Sequence, residues 1–187
     1  MASGIVGEFF ELKAAASADL LAMQMGDFYE FFGEDAELVG EELDLKVSER
    51  SSGGEPYAMA GVPVDDLTPY VKALVERGYR VAIAEQRETD DGIVREITRT
   101  VTPGTLLETD DAEAQYLAGV AREDREYGLA VCDVTTGQFR VTTLSGEEAT
   151  ARALNELDRF DPVEVLPGPT VRADDDFVSA LRTGLDA

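Results

Sequence analysis

The sequence predicts a mixed α/β fold in two units, a mixed-sheet first unit over residues 1–107 and a smaller α/β unit over residues 116–187. Short apolar runs alternate with helical spacing up to about residue 105. An acidic, small-residued stretch at 108–115, with Asp110 and Asp111 in it, has the composition of a connection between domains. Three closely spaced strand-like runs then precede a helix, the pattern of an antiparallel meander. At 187 residues and 44% hydrophobic, the chain has enough apolar material for two cores.

Taken in order, Ile5, Phe9 and Leu12 lie at helical spacing and define a first helix ending at Ala16, ahead of Asp19. Leu20 to Met25 reads as a short apolar strand, Gly26-Asp27 as the turn that breaks it, and Phe28 to Phe32 as a brief strand leaving that turn. Glu34 to Leu43 is a second helix, with acidic residues in its first turn where the helix dipole favours them. Leu45-Lys46-Val47 is strand-like and Ser51-Ser52-Gly53-Gly54 flexible; Tyr57 to Val62 is a short apolar strand stopped by Pro63. A helix is expected from Asp66 to Arg77 with Gly78 at its C-terminal end, then a buried strand over Arg80 to Glu85. Val94 to Val101 is a further strand and Thr102-Pro103-Gly104-Thr105 a turn.

The second unit reads as strands Tyr116 to Ala121, Tyr127 to Val134 and Gln138 to Leu144, a helix Glu147 to Arg159, a strand Pro162 to Leu166 and a helix Asp174 to Leu181. No internal repeat and no low-complexity tract beyond short acidic stretches is present.

Composition narrows the chemistry. Histidine is absent, so the usual Cys/His zinc sites and histidine-based catalysis cannot be built from this chain; no catalytic and no metal-ligating residues are assigned. The single cysteine, Cys132, has no disulfide partner and is read as a small buried thiol in the apolar run from Tyr127. No apolar run approaches a membrane span, and the N-terminus lacks a basic segment followed by an apolar signal core, which points to a cytoplasmic protein with no membrane partner.

The net charge is −23, and only Lys13, Lys46 and Lys72 among the basic residues are lysine. An acidic, lysine-poor surface suits a cytoplasm near molar salt, where the Debye length falls to about 3 Å, so a halophilic source is expected. Residues 1–45 sum to −10, 46–99 to −2 and 100–187 to −11. The nearly neutral middle third offers Lys46, Arg50, Lys72, Arg77, Arg80, Arg87, Arg95 and Arg99, either to meet phosphates or as scattered surface cations.

By themselves Phe28, Tyr29, Phe31 and Phe32 fit a buried aromatic cluster as well as a binding surface. Yet Met25-Gly26-Asp27-Phe28-Tyr29-Glu30-Phe31-Phe32 closely resembles the mismatch-recognition motif of MutS proteins. Met59-Ala60-Gly61-Val62-Pro63, Val81 to Gln86 and Arg99 to Thr105 resemble later blocks of that family, in the same order. Asp133-Val134-Thr135-Thr136-Gly137-Gln138-Phe139 is similar to the opening of its connector domain, which implies that 116–187 is the N-terminal part of an RNase H-like fold.

The resemblance implies that Phe28 wedges into mismatched double-stranded DNA and that Glu30 hydrogen-bonds the base on which the ring stacks. Met25, Gly26, Asp27, Tyr29, Met59, Gly61 and Pro63 are read as support, with Asp27 bonding its own backbone and Gly61 and Pro63 shaping a loop. A carboxylate among phosphates is electrostatically awkward, so Glu30 is expected to be partly protonated when bound.

Departures from the family pattern occur at Gln24, where arginine is usual, and at Val64-Asp65, where an aromatic residue and histidine are common. The resemblance further implies a MutL-type partner on the connector and, in a full-length protein, ATP, Mg and a homodimer. No Gly-x-x-x-x-Gly-Lys-Ser/Thr occurs in this chain, which is therefore not expected to be an enzyme itself. Two alternatives remain at this level: a structure-specific nuclease of RNase H-like type with Asp133 as a metal ligand, and a protein-interaction module.

Overall fold

The structure, a computed structural model, describes residues 2–90, 92–106 and 114–184. The chain divides into two compact units, residues 1–106 and 107–187. Most of the expected connection at 108–115 lies outside the described residues.

The first unit runs α1 (Gly4–Ala15), β1 (Leu20–Met25), β2 (Phe28–Phe32), α2 (Glu34–Leu43), β3 (Ser48–Ser52), β4 (Glu55–Pro63), α3 (Leu67–Glu76), β5 (Val81–Thr89) and β6 (Gly92–Val101). Its six strands lie in the order β3-β4-β2-β1-β5-β6. All neighbours are antiparallel except β1 and β5, which are parallel.

Each face of this sheet has its own core. On one side Tyr29 and Phe31 of β2, Leu20 and Ala22 of β1 and Ala60 and Val62 of β4 pack beneath α2 and α3. Helix α3 buries Leu67, Val71, Leu74 and Val75, the i, i+4, i+7, i+8 stripe of a helix lying on a sheet. On the other side Leu21, Met23 and Phe32 pack against Val6 and Phe9 of α1. The Phe9 and Phe32 rings meet edge-on at 5.2 Å. With both faces covered, Leu20, Leu21, Ala22 and Met23 are all buried, hence the unbroken apolar run in the sequence.

Helix α1 is tied down by a half-buried ion pair. Lys13 Nζ donates to Asp35 Oδ2 at 2.7 Å, and the same carboxylate oxygen accepts from Leu21 N at 2.8 Å. Asp35 thereby joins the first turn of α2 to α1 and β1. Burial pushes its carboxyl up, and the bond from Lys13 pulls it back.

In the first unit the order of elements matches the sequence-based expectation, with one local correction. Leu45-Lys46-Val47 is not a strand. Helix α2 ends on Asp44 in the left-handed conformation, φ 53°, and Leu45 N returns to the carbonyl of Gly40 at 3.2 Å, so these residues serve the helix end. The strand begins at Ser48 and continues through the serines expected to be flexible, because a turn at Gly53-Gly54 pairs them with β4.

The second unit contains β7 (Tyr116–Glu123), β8 (Glu126–Asp133), β9 (Gln138–Leu144), α4 (Ala149–Phe160), β10 (Glu164–Pro167), α5 (Pro169–Arg172) and α6 (Asp175–Gly184). The meander β7-β8-β9 is antiparallel and β10 joins β7 in parallel, giving the order β10-β7-β8-β9. Tyr127, Leu129 and Val131 point into a core with Ala153 and Leu157 of α4, and Tyr127 stacks on Phe177 at 5.3 Å.

Alternation then sends Cys132 to the opposite face, where it is half-buried across from Phe139, so it is not the core thiol expected from the apolar run. No helix among the described residues is long and apolar enough to cross a membrane.

Asp133 closes the β8–β9 turn. Its Oδ1 accepts from Thr135 N at 3.0 Å and Thr135 Oγ1 at 2.6 Å, and its Oδ2 accepts from Thr136 Oγ1 at 2.7 Å. These bonds favour the ionised form and lower its pKa to about 2. A carboxylate depressed on folding adds stability above its unfolded value, about 3.9, and that stability is lost as pH falls toward 2. Asp133→Asn is therefore expected to lower the unfolding temperature near neutral pH, and the gap from wild type should close on acidification toward pH 2. A constant gap across a thermal-unfolding series in pH would contradict this.

Candidate nucleic-acid interface

The β1–β2 hairpin turns in two residues, Gly26 and Asp27, between the paired residues Met25 and Phe28. Gly26 has φ 64°, the sign needed at the first central residue of a tight hairpin, where a side chain would be strained. The loop is fastened from two sides. Val64 N donates to the Asp27 carbonyl at 2.9 Å, and Gly26 N donates to Gln86 Oε1 at 3.0 Å. Gln86 N donates in turn to Gln24 Oε1 at 3.2 Å, and Arg95 Nε donates to the Gln24 carbonyl at 2.7 Å.

From this anchored turn β2 alternates strictly. Tyr29 and Phe31 go under α2 and α3, whereas Phe28, Glu30 and Phe32 share the α1 face. Phe32 packs under α1 against Phe9, whereas Phe28 and Glu30 are not members of that buried cluster. Phe28 is 45% exposed, in contrast to Tyr29 at 5%, Phe31 at 1% and Phe32 at 0%. Of the four aromatic residues only Phe28 is presented, with a recess of about 340 Å³ beside it formed by Gln24, Gly26, Asp27, Phe28, Pro63, Val64 and Asp65.

Register assembles most of the expected support around this pair. Phe28 lies opposite Met25 and Pro63, and Glu30 opposite Met23 and Gly61. Met59 pairs with Phe32 and packs in the α1-side core. Two readings are corrected. Gly61 and Pro63 belong to paired positions of β4, not to a loop, because β4 runs on to Pro63 alongside β2. At Asp27 the anchoring bond is made by its carbonyl, not its carboxylate.

Glu30 carries the unusual chemistry. Its Oε2 is buried and has no hydrogen-bond partner among the described residues. Burial pushes the carboxyl up, and the charge of Arg50, from β3, draws it partly back.

Five cations of the middle third are held by acids of their own chain. Lys72 pairs with Glu76, Arg77 with Glu42, Arg80 with Asp19, Arg87 with Glu96 and Arg95 with Glu8. Arg95, only 9% exposed in its side chain, braces the turn and does not face solvent. Another hollow of this unit, about 620 Å³ between α2 and α3, is lined by Glu41, Glu42, Asp44 and Asp66 against the one cation Arg77 and is unsuited to a polyanion.

Gln86 and Arg95 are site residues that sequence reasoning did not single out as such. Their partners are 60 and 71 positions away, and no local spacing signals the contact. Asp133, the acid on which a nuclease reading rests, spends its oxygens on its own turn. No group of three acidic or cysteine side chains placed to hold a metal occurs among the described residues.

Residues 3–110 match the family described as MutS domain I, and residues 115–185 match MutS domain II. The chain is 64% identical over its whole length to DNA mismatch repair protein MutS 1 of Haloarcula marismortui and 63% identical over 98% of its length to that of Halobacterium salinarum, both halophilic. It is 40% identical over 87% of its length to DNA mismatch repair protein MutS of Pelotomaculum thermopropionicum. The chain spans 21%, 21% and 20% of these three proteins respectively.

The raised carboxyl at Glu30 has a consequence for stability. A group whose folded value lies above its unfolded value contributes fully below the unfolded value, about 4.3, and the contribution is lost as pH rises through the folded value. Glu30→Gln cannot ionise. It is expected to unfold at a higher temperature than wild type near neutral pH and at the same temperature below about pH 4. Calorimetry across that range checks the sign.

Proposed function

This chain belongs to the MutS family, and from that premise we propose that its first unit recognises mismatched double-stranded DNA through Phe28 and Glu30. In this reading the Phe28 ring enters the minor groove, wedges against the weak step and stacks on a mispaired or unpaired base, while Glu30 hydrogen-bonds that base. The observation that carries it is the pairing of one exposed ring with one buried, unpartnered carboxyl oxygen on the same sheet face, beside the anchored β1–β2 turn.

The energetics favour discrimination by deformability. Unstacking a step costs roughly a few kcal/mol. Stacking a base on an aromatic ring returns about 1 to 3 kcal/mol. The two nearly cancel, so the stacking and pairing already lost at a mismatch tip the balance toward insertion. Rigidity matters because a mobile ring would lose further entropy on insertion; the bonds from Gly26 N to Gln86 Oε1 and from Val64 N to the Asp27 carbonyl reduce that loss.

Burial also supports a protonated Glu30 at the base. A neutral carboxyl can donate to a ring nitrogen or carbonyl of the base without adding negative charge between two phosphate backbones. Contact with a MutL-type partner is assigned to the second unit, and ATP hydrolysis with Mg, together with the homodimer, to the full-length protein.

Equilibrium binding of the full-length protein to matched and single-mismatch duplexes near molar salt tests the assignment. Phe28→Ala is expected to reduce affinity for the mismatch by about ten- to a hundredfold and to change matched binding little. Equal losses on both duplexes would falsify the wedge. Glu30→Gln, an amide that can still donate, should retain mismatch binding, and a loss at every accessible pH would overturn the protonated carboxyl.

A further inference from the structure

Glycine in the middle of a strand weakens it, and one common reason for its presence is that something must come close to the backbone. Gly61 is such a residue, in β4 between Ala60 and Val62, directly across from Glu30. Its backbone needs no positive φ, so conformation does not call for glycine here. Space does. A Cβ built on Gly61 would lie 2.4 Å from Glu30 Oε2, 2.8 Å from Cδ and 3.0 Å from Oε1. The whole carboxyl group rests on the bare Cα of Gly61.

We propose that Gly61 is a positioning residue for mismatch discrimination: it forms a slot that stores the Glu30 carboxyl against β4, set back from the Phe28 ring, until a displaced base reaches it. The inference rests on the reading of Phe28 and Glu30 given above and adds the element that sets the depth and protonation of the carboxyl. Two independent features meet at the slot, the close approach over Gly61 and the buried Oε2 without a partner. Across β2 the neighbour is Met23, fully buried and apolar, which offers the carboxyl no hydrogen bond, and from β3 the Arg50 charge reaches it.

An oxygen held in this way is desolvated in advance. It is also recessed, so the more exposed ring meets the duplex first and the carboxyl engages only a base that has already yielded. Alanine at 61 keeps the strand backbone but closes the slot. The atom it displaces is the end of a flexible side chain, so the fold survives while Glu30 swings outward and regains water.

The test uses this chain for the free state and the full-length protein for DNA binding. The Glu30 carboxyl is titrated by carbon NMR in wild type and Gly61→Ala, and matched and mismatched duplex affinities are measured for Gly61→Ala, Glu30→Ala and the double variant. The expected result is that Gly61→Ala returns the titration of Glu30 toward the ordinary value of about 4.3. Mismatch preference should fall by up to about tenfold, the worth of one hydrogen bond, to the level of Glu30→Ala, with no further loss in the double variant.

The double variant, with the clash removed, should be at least as stable as Glu30→Ala alone. An unshifted Glu30 titration in Gly61→Ala overturns the slot. Full discrimination in Gly61→Ala alongside a defective Glu30→Ala overturns its role in specificity. If Glu30→Ala itself discriminates normally, the reading of Glu30 on which the inference rests has failed, and that outcome is separated from the others because it appears without any change at position 61.

Discussion

Register in β2 is the constraint on which the first unit turns. The strand is paired on both sides, Met25↔Phe28 toward β1 and Phe28↔Pro63 toward β4, and its side chains alternate between two cores. A slip of one residue would drive Phe28 and Glu30 under α2 and α3 and expose Tyr29 and Phe31. Burying those two aromatic residues, at roughly 1.5 to 3 kcal/mol each, therefore also fixes the direction in which Phe28 points. Exposing Phe28 is a by-product of burying its neighbours.

Electrostatics in this chain work differently from those of an ordinary nucleic-acid-binding surface. The net charge is −23, and five of the eight cations in its nearly neutral segment are engaged with acids of their own chain. Phosphate neutralisation loses strength steeply with salt, whereas a stacked ring and a buried hydrogen bond do not depend on counterion release. The proposed site, Phe28 and Glu30 beside an uncharged Gln24–Gln86 bracket, is consistent with the high-salt setting of the halophilic relatives. Gln24, where the family pattern has arginine, is tied into that bracket through its side-chain oxygen and its carbonyl.

Elements with a clear period were legible in the sequence. The apolar run of β1, the stripe of α3 and the meander of the second unit each follow from side-chain spacing, and the Gly26-Asp27 turn follows from its residue types. Leu45–Val47 was misread because local propensity cannot see that Leu45 is recruited to the end of α2. Gly61 and Pro63 looked like loop residues because glycine and proline are punctuation by default, and only the pairing with β2 gives them places in a strand. Arg95 reads in the sequence as either a phosphate contact or a surface cation, because sequence gives a charge without its partner, Glu8, 87 positions away. Cys132 was misplaced for a different reason: an apolar run does not say which face of a sheet each residue takes.

A buried oxygen without a partner is rare in folded proteins, since leaving it unsatisfied costs about 1 to 3 kcal/mol. Evolution could remove that cost at Glu30 in two simple ways: a residue at position 61 that pushes the carboxyl into water, or a donor beside it. Neither is present, for Gly61 has no side chain and Met23 has no donor. Asp133 makes the contrast, a carboxylate whose oxygens accept from two hydroxyls and two amides and which accordingly stays ionised into acid. One acid is satisfied within its own fold and serves the fold. The other is left wanting in the free protein, and an unmet polar group held in a fixed direction has more to gain from an incoming base than one that must first give up water.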